Sequence, residues 1–259
     1  MSAMERIGMT RWTGRVALVT GAASGVGASV ADKLVRHGMK VIGCDIQNVK
    51  LKAAQEKFSK EDSIKGTFEA FTCDLAKEDD ILDMFQHIKS THGGVDVCIN
   101  CAAHAKNGPS LLEGATADWR SMLDVNVLGL CICTREAVRQ MREKGTDDGH
   151  VIHIGSLSSH RVHPDPRIHF YAATKYMVRA VTEGLRQELC EIKSHIRISC
   201  VCPGMIRTPF LYSVMPREAV DEFKANNPII EPEDVADAVI YALHAPPHVQ
   251  IHDMIIHPI

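Results

Sequence analysis

The sequence predicts an α/β fold, a doubly wound parallel sheet of about seven strands with helices on both faces. Three observations predict it. Short β-branched runs recur along the chain, a helical stretch separates each run from the next, and a glycine-rich turn joins the first run to the first helix.

The strand candidates are RVALVT (15–20), KVIGC (40–44), FEAFTC (68–73), VDVCIN (95–100), HVIHIG (150–155) and IRISCVC (196–202), with a seventh near IHDMIIH. Most are apolar at successive positions, as strands covered on both faces must be. Residues 25–37, 48–59, 78–92, 118–143, 171–193 and 233–243 read as helices, with Gly38, Gly93 and Gly94 at expected stops. No repeat, low-complexity tract or linker interrupts the alternation, so residues 1–259 read as a single domain. The longest irregular stretch runs from Pro203 to about Asn227. Its apolar residues Met205, Ile206, Phe210, Leu211, Val214 and Met215 suit a lid over an apolar ligand.

Composition narrows the function. Apolar residues make up 45% and charged residues 24%, ordinary for a folded globular chain. Lysine plus arginine total 29 against 32 acids, and a net charge of -3 gives no broad footprint for nucleic acid. The N-terminal stretch MSAMERIGMTRW lacks the apolar core of a signal peptide, and no apolar run suits a membrane span, so a cytoplasmic location is expected. Nine cysteines, several inside apolar runs, read as reduced thiols. The Cys98–Cys101 CxxC has no second CxxC at zinc-site spacing. His150, His153, His160, His163 and His169 show no metalloprotease-like spacing, so no metal is expected.

After the first run comes TGAASGVG, with Gly21, Gly25 and Gly27. Glycines between a strand and a helix permit a tight turn and let the backbone approach a pyrophosphate at the positive helix N-terminus. Asp45 follows the second strand, 18 residues beyond Gly27. A carboxylate there can accept hydrogen bonds from ribose hydroxyls and repels the extra phosphate of NADP. Neither Ile46 nor Ala23 offers a cation to that phosphate, so NAD is favoured over NADP.

The stretch YAATK places Tyr171 and Lys175 one helical turn apart on one face. A free phenol titrates near ~10, so a neighbouring cation is needed to favour its phenolate at neutral pH.

Together, TGAASGVG, Asp74 and Leu75 after the third strand, Asn100 after the fourth, Asn126 in DVNVLG, Ser156 after the fifth, YAATK and PGMIRT resemble the short-chain dehydrogenase/reductase family. The resemblance implies a Rossmann-type fold and an oxidoreductase that binds its dinucleotide through Gly21, Ser24, Gly25, Val26, Gly27, Asp45, Ile46, Asp74, Leu75, Asn100 and Ala102. Tyr171, Lys175, Pro203, Gly204, Ile206 and Thr208 complete that implied set. It further implies Tyr171 as proton donor and acceptor, Lys175 on the nicotinamide ribose, Ser156 on the substrate oxygen and Asn126 supporting Lys175 through water. Ser158 has the family's usual 13-residue spacing to Tyr171, whereas strand alignment favours Ser156.

The family's Asn-Asn-Ala-Gly appears as NCAA (100–103), and Ala103 adopts positive φ less readily than glycine. RWTGRVALVTGA, CTREA, FYAATKYMVRAVTEGLRQEL and EDVADAVIYAL are most similar to animal members acting on ketosteroids and to insect farnesol dehydrogenases. The expectation is an NAD-linked enzyme for a small hydrophobic alcohol or ketone, assembled as a homodimer or homotetramer. Its alternatives are an NADP-dependent carbonyl or ketosteroid reductase and a non-catalytic NAD-binding regulator.

Overall fold

A computed structural model describes residues 8–106, 110–214 and 216–259, with the backbone alone for 223–225. Its centre is a seven-stranded parallel sheet of β1 (Val16–Thr20), β2 (Lys40–Asp45), β3 (Thr67–Thr72), β4 (Val97–Asn100), β5 (His150–Ile154), β6 (Arg197–Pro203) and β7 (Asp253–Ile256), in the order β3-β2-β1-β4-β5-β6-β7. The chain winds outward from β1 in one direction and from β4 in the other, which leaves a crevice at the carboxyl ends of those strands.

Alternation along β1 explains why its run is apolar throughout. Ala17 and Val19 point into a core with Val30 and Leu34 of α1 (Gly25–Arg36) and Val235 and Val239 of α9 (Pro232–His244). Val16 and Leu18 point the other way, to Ile81, Phe85 and Ile88 of α3 (Glu78–His92), Cys133 and Met141 of α5 (Leu130–Glu143) and Leu189 of α6 (His169–Glu191). Burying one such side chain contributes roughly 1.5–3 kcal/mol, so both faces drive the alternating pattern. Trp12 closes the first core, its Nε1 donating to the Leu243 carbonyl at 3.0 Å.

Two expectations needed correction. The helix read over 118–143 is divided into α4 (Thr116–Leu123), a π-helical segment over Asp124–Gly129 and α5. The stretch read as irregular after Pro203 contains α7 (Leu211–Val214) and α8 (Arg217–Asn226); Met215, counted among its apolar residues, lies outside the described residues. The remaining helix, α2 (Asn48–Ser59), has the bounds read from the sequence. No helix among the described residues is long and apolar enough to cross a membrane.

All nine cysteines are free thiols. Burial pushes the Cys98 and Cys101 thiols up to about 12, which leaves this CxxC inert as a redox pair at neutral pH. His150 and His153 are buried polar residues of β5: His150 Nε2 lies 2.9 Å from Ser199 Oγ, and His153 sits between Thr134 Oγ1 and Thr182 Oγ1, each at 2.9 Å.

Burial, then the charges of Arg197 and Arg11, holds His150 well below the ordinary histidine range; burial, then Lys175, lowers His153 to about 3. Because both folded-state values are depressed, their contribution to stability is complete above the ordinary value near ~6.5 and is lost as pH falls. Each adds about 1.4 kcal/mol per pH unit to the acid loss below that value, where the unfolded histidine is protonated and the folded one is not. Urea midpoints at pH 7.5, 6.5 and 5.5 should therefore fall steeply only in the last interval, and His153→Gln should flatten that fall if the variant stays folded.

Candidate active site

The ends of β1, β2, β5 and β6 open on a cavity of about 840 Å³. Its wall brings together Gly21, Ser24, Gly25, Val26, Gly27, Asp45, Ile46, Asp74, Leu75, Ala102, Ser156, Tyr171, Lys175, Pro203, Gly204, Ile206 and Thr208. Asn100 and Asn126 stand behind it. Asn100 Nδ2 donates to Thr134 Oγ1 at 3.0 Å, so its side chain braces α5 against β4.

The first turn is built by the absence of side chains. A Cβ on Gly27 would lie 2.2 Å from the Gly21 carbonyl oxygen, and one on Gly21, whose φ is +70°, would lie 2.9 Å from Ala102 Cα. Ser24, extended at the N-cap of α1, gives no side-chain cap, and no acid occupies the first helical turn. Those backbone N–H groups therefore suit an anionic ligand, and the cradle fits a dinucleotide pyrophosphate. Asp45 is fixed at the next strand end, accepting from Ala23 N at 3.3 Å through Oδ2 and from Gln47 N at 3.0 Å through Oδ1. Asp74 Oδ1 accepts from Ala76 N, while Asp74 N donates to Asp80 Oδ2. Ala103 has no positive φ, a conformation that only Lys193 adopts among the described non-glycine residues, so NCAA turns without strain there.

The catalytic candidates come from β5, the turn after it and α6. Ser156 caps the turn Leu157–Ser159: its Oγ accepts from Ser158 N at 3.0 Å, while its own N donates to Ser159 Oγ at 3.1 Å. Ser156 and Tyr171 line the same cavity wall, and Ser158 contributes a main-chain N–H to the Ser156 hydroxyl. Burial pushes the phenol up, and the Ser156 side chain offsets this only in part. Lys175 is 2% exposed, its Nζ donating to the Ile154 carbonyl at 2.9 Å and standing 5.9 Å from the Tyr171 ring centroid. Burial lowers its ammonium. In the chain itself burial, and not the Lys175 charge, sets the direction of the phenol's shift.

Asn126 lies in the π-helical segment. Its Oδ1 accepts from His104 N at 2.7 Å, and its Nδ2 donates to the His104 carbonyl at 2.8 Å and to Thr174 Oγ1 at 3.1 Å. The π geometry turns this amide toward the chain beside Lys175, which a uniform helix pattern did not foretell. The segment after β6 is held from both ends: Ile230 N donates to Met205 O at 3.0 Å, and Arg207 N donates to Ile230 O at 2.9 Å. Thr208 packs under the glycine turn, 3.0 Å from where a Cβ on Gly25 would sit.

Among the cavity residues that the sequence reading did not assign are His104, Arg161 and His257; Phe210 it placed in the apolar lid. Phe210 stands 5.6 Å from Tyr171 by ring centroids, and Arg161 donates to His257 Nε2 at 3.2 Å. The apolar content of the 203–227 stretch signalled Phe210; nothing local signals Arg161 or His257, which meet only because the chain end returns across the sheet.

The family model described as short chain dehydrogenase matches residues 15–219. Dehydrogenase/reductase SDR family member 11 of Mus musculus is 49% identical, covering 98% of both chains, and farnesol dehydrogenase of Aedes aegypti is 36% identical, covering 97% of this chain and 98% of its own. Among solved structures, a serine dehydrogenase complexed with NADP+ aligns with a TM-score of 0.81 at 26% identity, covering 93% of this chain and 94% of its own. The 3-ketoacyl-(acyl-carrier-protein) reductase of Brucella melitensis complexed with NADH aligns at 0.80 and 26% identity, covering 94% and 97%. A family match across most of the sheet and relatives alike from end to end make this chain a member of the short-chain dehydrogenase/reductase family, an oxidoreductase that binds a nicotinamide dinucleotide.

Proposed function

We propose that this chain is an NAD-linked dehydrogenase for hydrophobic alcohols of the prenyl or steroid kind, with Tyr171 as the acid/base. The carrying observation is that Ser156, Tyr171 and Lys175 share one cavity wall with the glycine turn and Asp45. When bound, the dinucleotide supplies the hydride acceptor.

The protein's own groups have separable tasks. Tyr171 holds its proton at neutral pH because burial raises the phenol, so it carries the proton that a carbonyl oxygen needs and can take one from an alcohol only as pH rises or a cation binds nearby. Ser156 holds the substrate oxygen beside it. Lys175 uses one donor on Ile154 and keeps two for ribose hydroxyls. Asn126 is a positioning residue, fixing His104 and, through Thr174, the helical turn before Lys175. Asp45 supports NAD over NADP because both its oxygens face acceptor duty and Ile46, 67% exposed beside it, brings no cation to a ribose phosphate. The similar solved structures hold NADP+ in one case and NADH in another, so the cofactor reading rests on Asp45.

Met205, Ile206, Phe210, Leu211 and Val214 line the cavity, which supports a lid over an apolar substrate at about 203–227 of one domain spanning 1–259. Likeness to the mosquito farnesol dehydrogenase supports the same substrate class. The proposed enzyme works as a homodimer or homotetramer.

Initial rates with NAD and NADP side by side, against farnesol, hydroxysteroids, retinol and short secondary alcohols, test the reading. NAD-dependent turnover of a hydrophobic alcohol is expected, with Asp45→Ala eroding the cofactor preference; turnover with NADP alone overturns the cofactor assignment. Tyr171→Phe should lower kcat by about 10²–10⁴. Ser156→Ala should cost about 10²–10³, whereas Ser158→Ala, which keeps the main-chain N–H, should stay near the parent rate. The reverse order for the two serines would reassign the substrate-holding group. Alcohol oxidation should rise from pH 7 to 9 while carbonyl reduction falls.

A further inference from the structure

Outside the cavity, three chemically soft or charged donors from three different elements converge. His160 follows the Ser156 turn, Cys202 is on β6 and Asp253 opens β7; their donor atoms all lie within 4.8 Å of one another. His160 Nε2 stands 3.5 Å from Asp253 Oδ2, and Cys202 Sγ stands 3.5 Å from Asp253 Oδ1. Four-coordinate zinc, with bonds of about 2.0–2.3 Å, sets donor separations of roughly 3.3–3.8 Å. Both distances fall in that range, each to a different oxygen of Asp253, so this carboxylate turns one oxygen to the imidazole and the other to the thiol. His160 Nε2 is buried and makes no hydrogen bond, so the imidazole nitrogen faces the cluster with the Asp253 carboxylate as a close partner.

We propose that His160, Cys202 and Asp253 form a binding site for a zinc-class divalent cation. Imidazole, thiolate and carboxylate are each competent zinc ligands, and three protein donors leave a fourth position for solvent. The two anionic donors neutralise the dication; the Cys202 thiol proton leaves to solvent as the metal–sulfur bond forms. Arg179 Nε donates to Asp253 Oδ2 at 3.1 Å, an outer partner that orients the carboxylate and leaves Oδ1 toward Cys202. Cys200 Sγ, 3.4 Å from Cys202 Sγ, places a second thiol behind the first. Cys202 is fully buried while the Asp253 side chain is 23% exposed, so entry is from the Asp253 side.

The site adjoins the candidate active site without sharing a residue with it. A Cβ on Gly155 would lie 2.7 Å from Cys202 Sγ, so the sulfur packs against the backbone one residue before Ser156. Occupancy ties the Ser156 turn, β6 and β7 together. No ligand spacing in the sequence reveals it, because the donors are separated by 42 and 51 residues (202 − 160 and 253 − 202).

The test is a cobalt titration of the full chain, stripped with EDTA and desalted, followed by zinc. One equivalent of Co²⁺ should produce a thiolate-to-cobalt charge-transfer absorption with the visible bands of a tetrahedral ion, and one equivalent of Zn²⁺ should remove both. Cys202→Ser should lose the charge-transfer absorption, and His160→Gln and Asp253→Asn should each weaken cobalt binding beyond the roughly 10–100-fold typical of an outer-shell loss. Cys190→Ser, at the exposed thiol, should change nothing. Absence of the charge-transfer band in the parent overturns the proposal, as does a band at full strength in folded Cys202→Ser. If Cys202→Ser fails to fold by circular dichroism, unchanged cobalt affinity in His160→Gln is decisive against it.

Discussion

A buried ammonium organises this site. Lys175 is 2% exposed, its single hydrogen bond goes to the Ile154 carbonyl, and burial lowers its pKa rather than a carboxylate raising it. An ammonium withdrawn from water costs several kcal/mol unless its donors are satisfied, and two of its three remain for whatever enters the cavity. The cost falls on packing elsewhere: α6 is pinned to β5 through His153 and Thr182, and its first turns are pinned through Thr174 and Asn126. The fold thus holds Lys175 with donors to spare at the cavity wall, the role on ribose hydroxyls that we propose for it.

The same burial that strains the ammonium neutralises its neighbour. The Tyr171 phenol is raised by loss of water, and Ser156 returns only part of that shift. In the chain itself Tyr171 is an acid holding its proton, and a further positive charge at the cavity is what would make it a base. The dinucleotide cradle is built beside it for a ligand able to bring one: α1 has no side-chain cap, Gly27 permits contact that a methyl group would block, and Asp45 closes the far end. Geometry and electrostatics converge on the same cavity.

Much of this was legible in the sequence because it is local. A strand covered on both faces is mostly apolar, so β1, β5 and β6 announced themselves despite His150, His153, Arg197 and Ser199, and the bounds of α2 and α3 are those read from the sequence. The glycine turn and the Tyr171–Lys175 spacing were readable for the same reason. What was missed depends on tertiary contact. A π segment differs from an α-helix by one residue per turn and leaves no periodicity over Asp124–Gly129. Asn100 follows a strand as the pattern requires, yet its amide turns to Thr134, a partner 34 residues away. The short helices α7 and α8 lie in a stretch broken by prolines at 209 and 216, where composition argued for loop. Arg161, His257 and the His160–Cys202–Asp253 cluster exist only because β7 returns beside β6.

The most direct measurement is the titration of Tyr171 itself, followed by ¹³C NMR of ring-labelled tyrosine with Tyr171→Phe to assign the signal, in the free chain and with NAD+ added. The account predicts a phenol that stays protonated in the free chain to well above the ordinary tyrosine value near ~10 and ionises at lower pH once the cationic ring is bound. A Tyr171 that titrates at the ordinary value in the free chain, or one that NAD+ leaves unmoved, would contradict it.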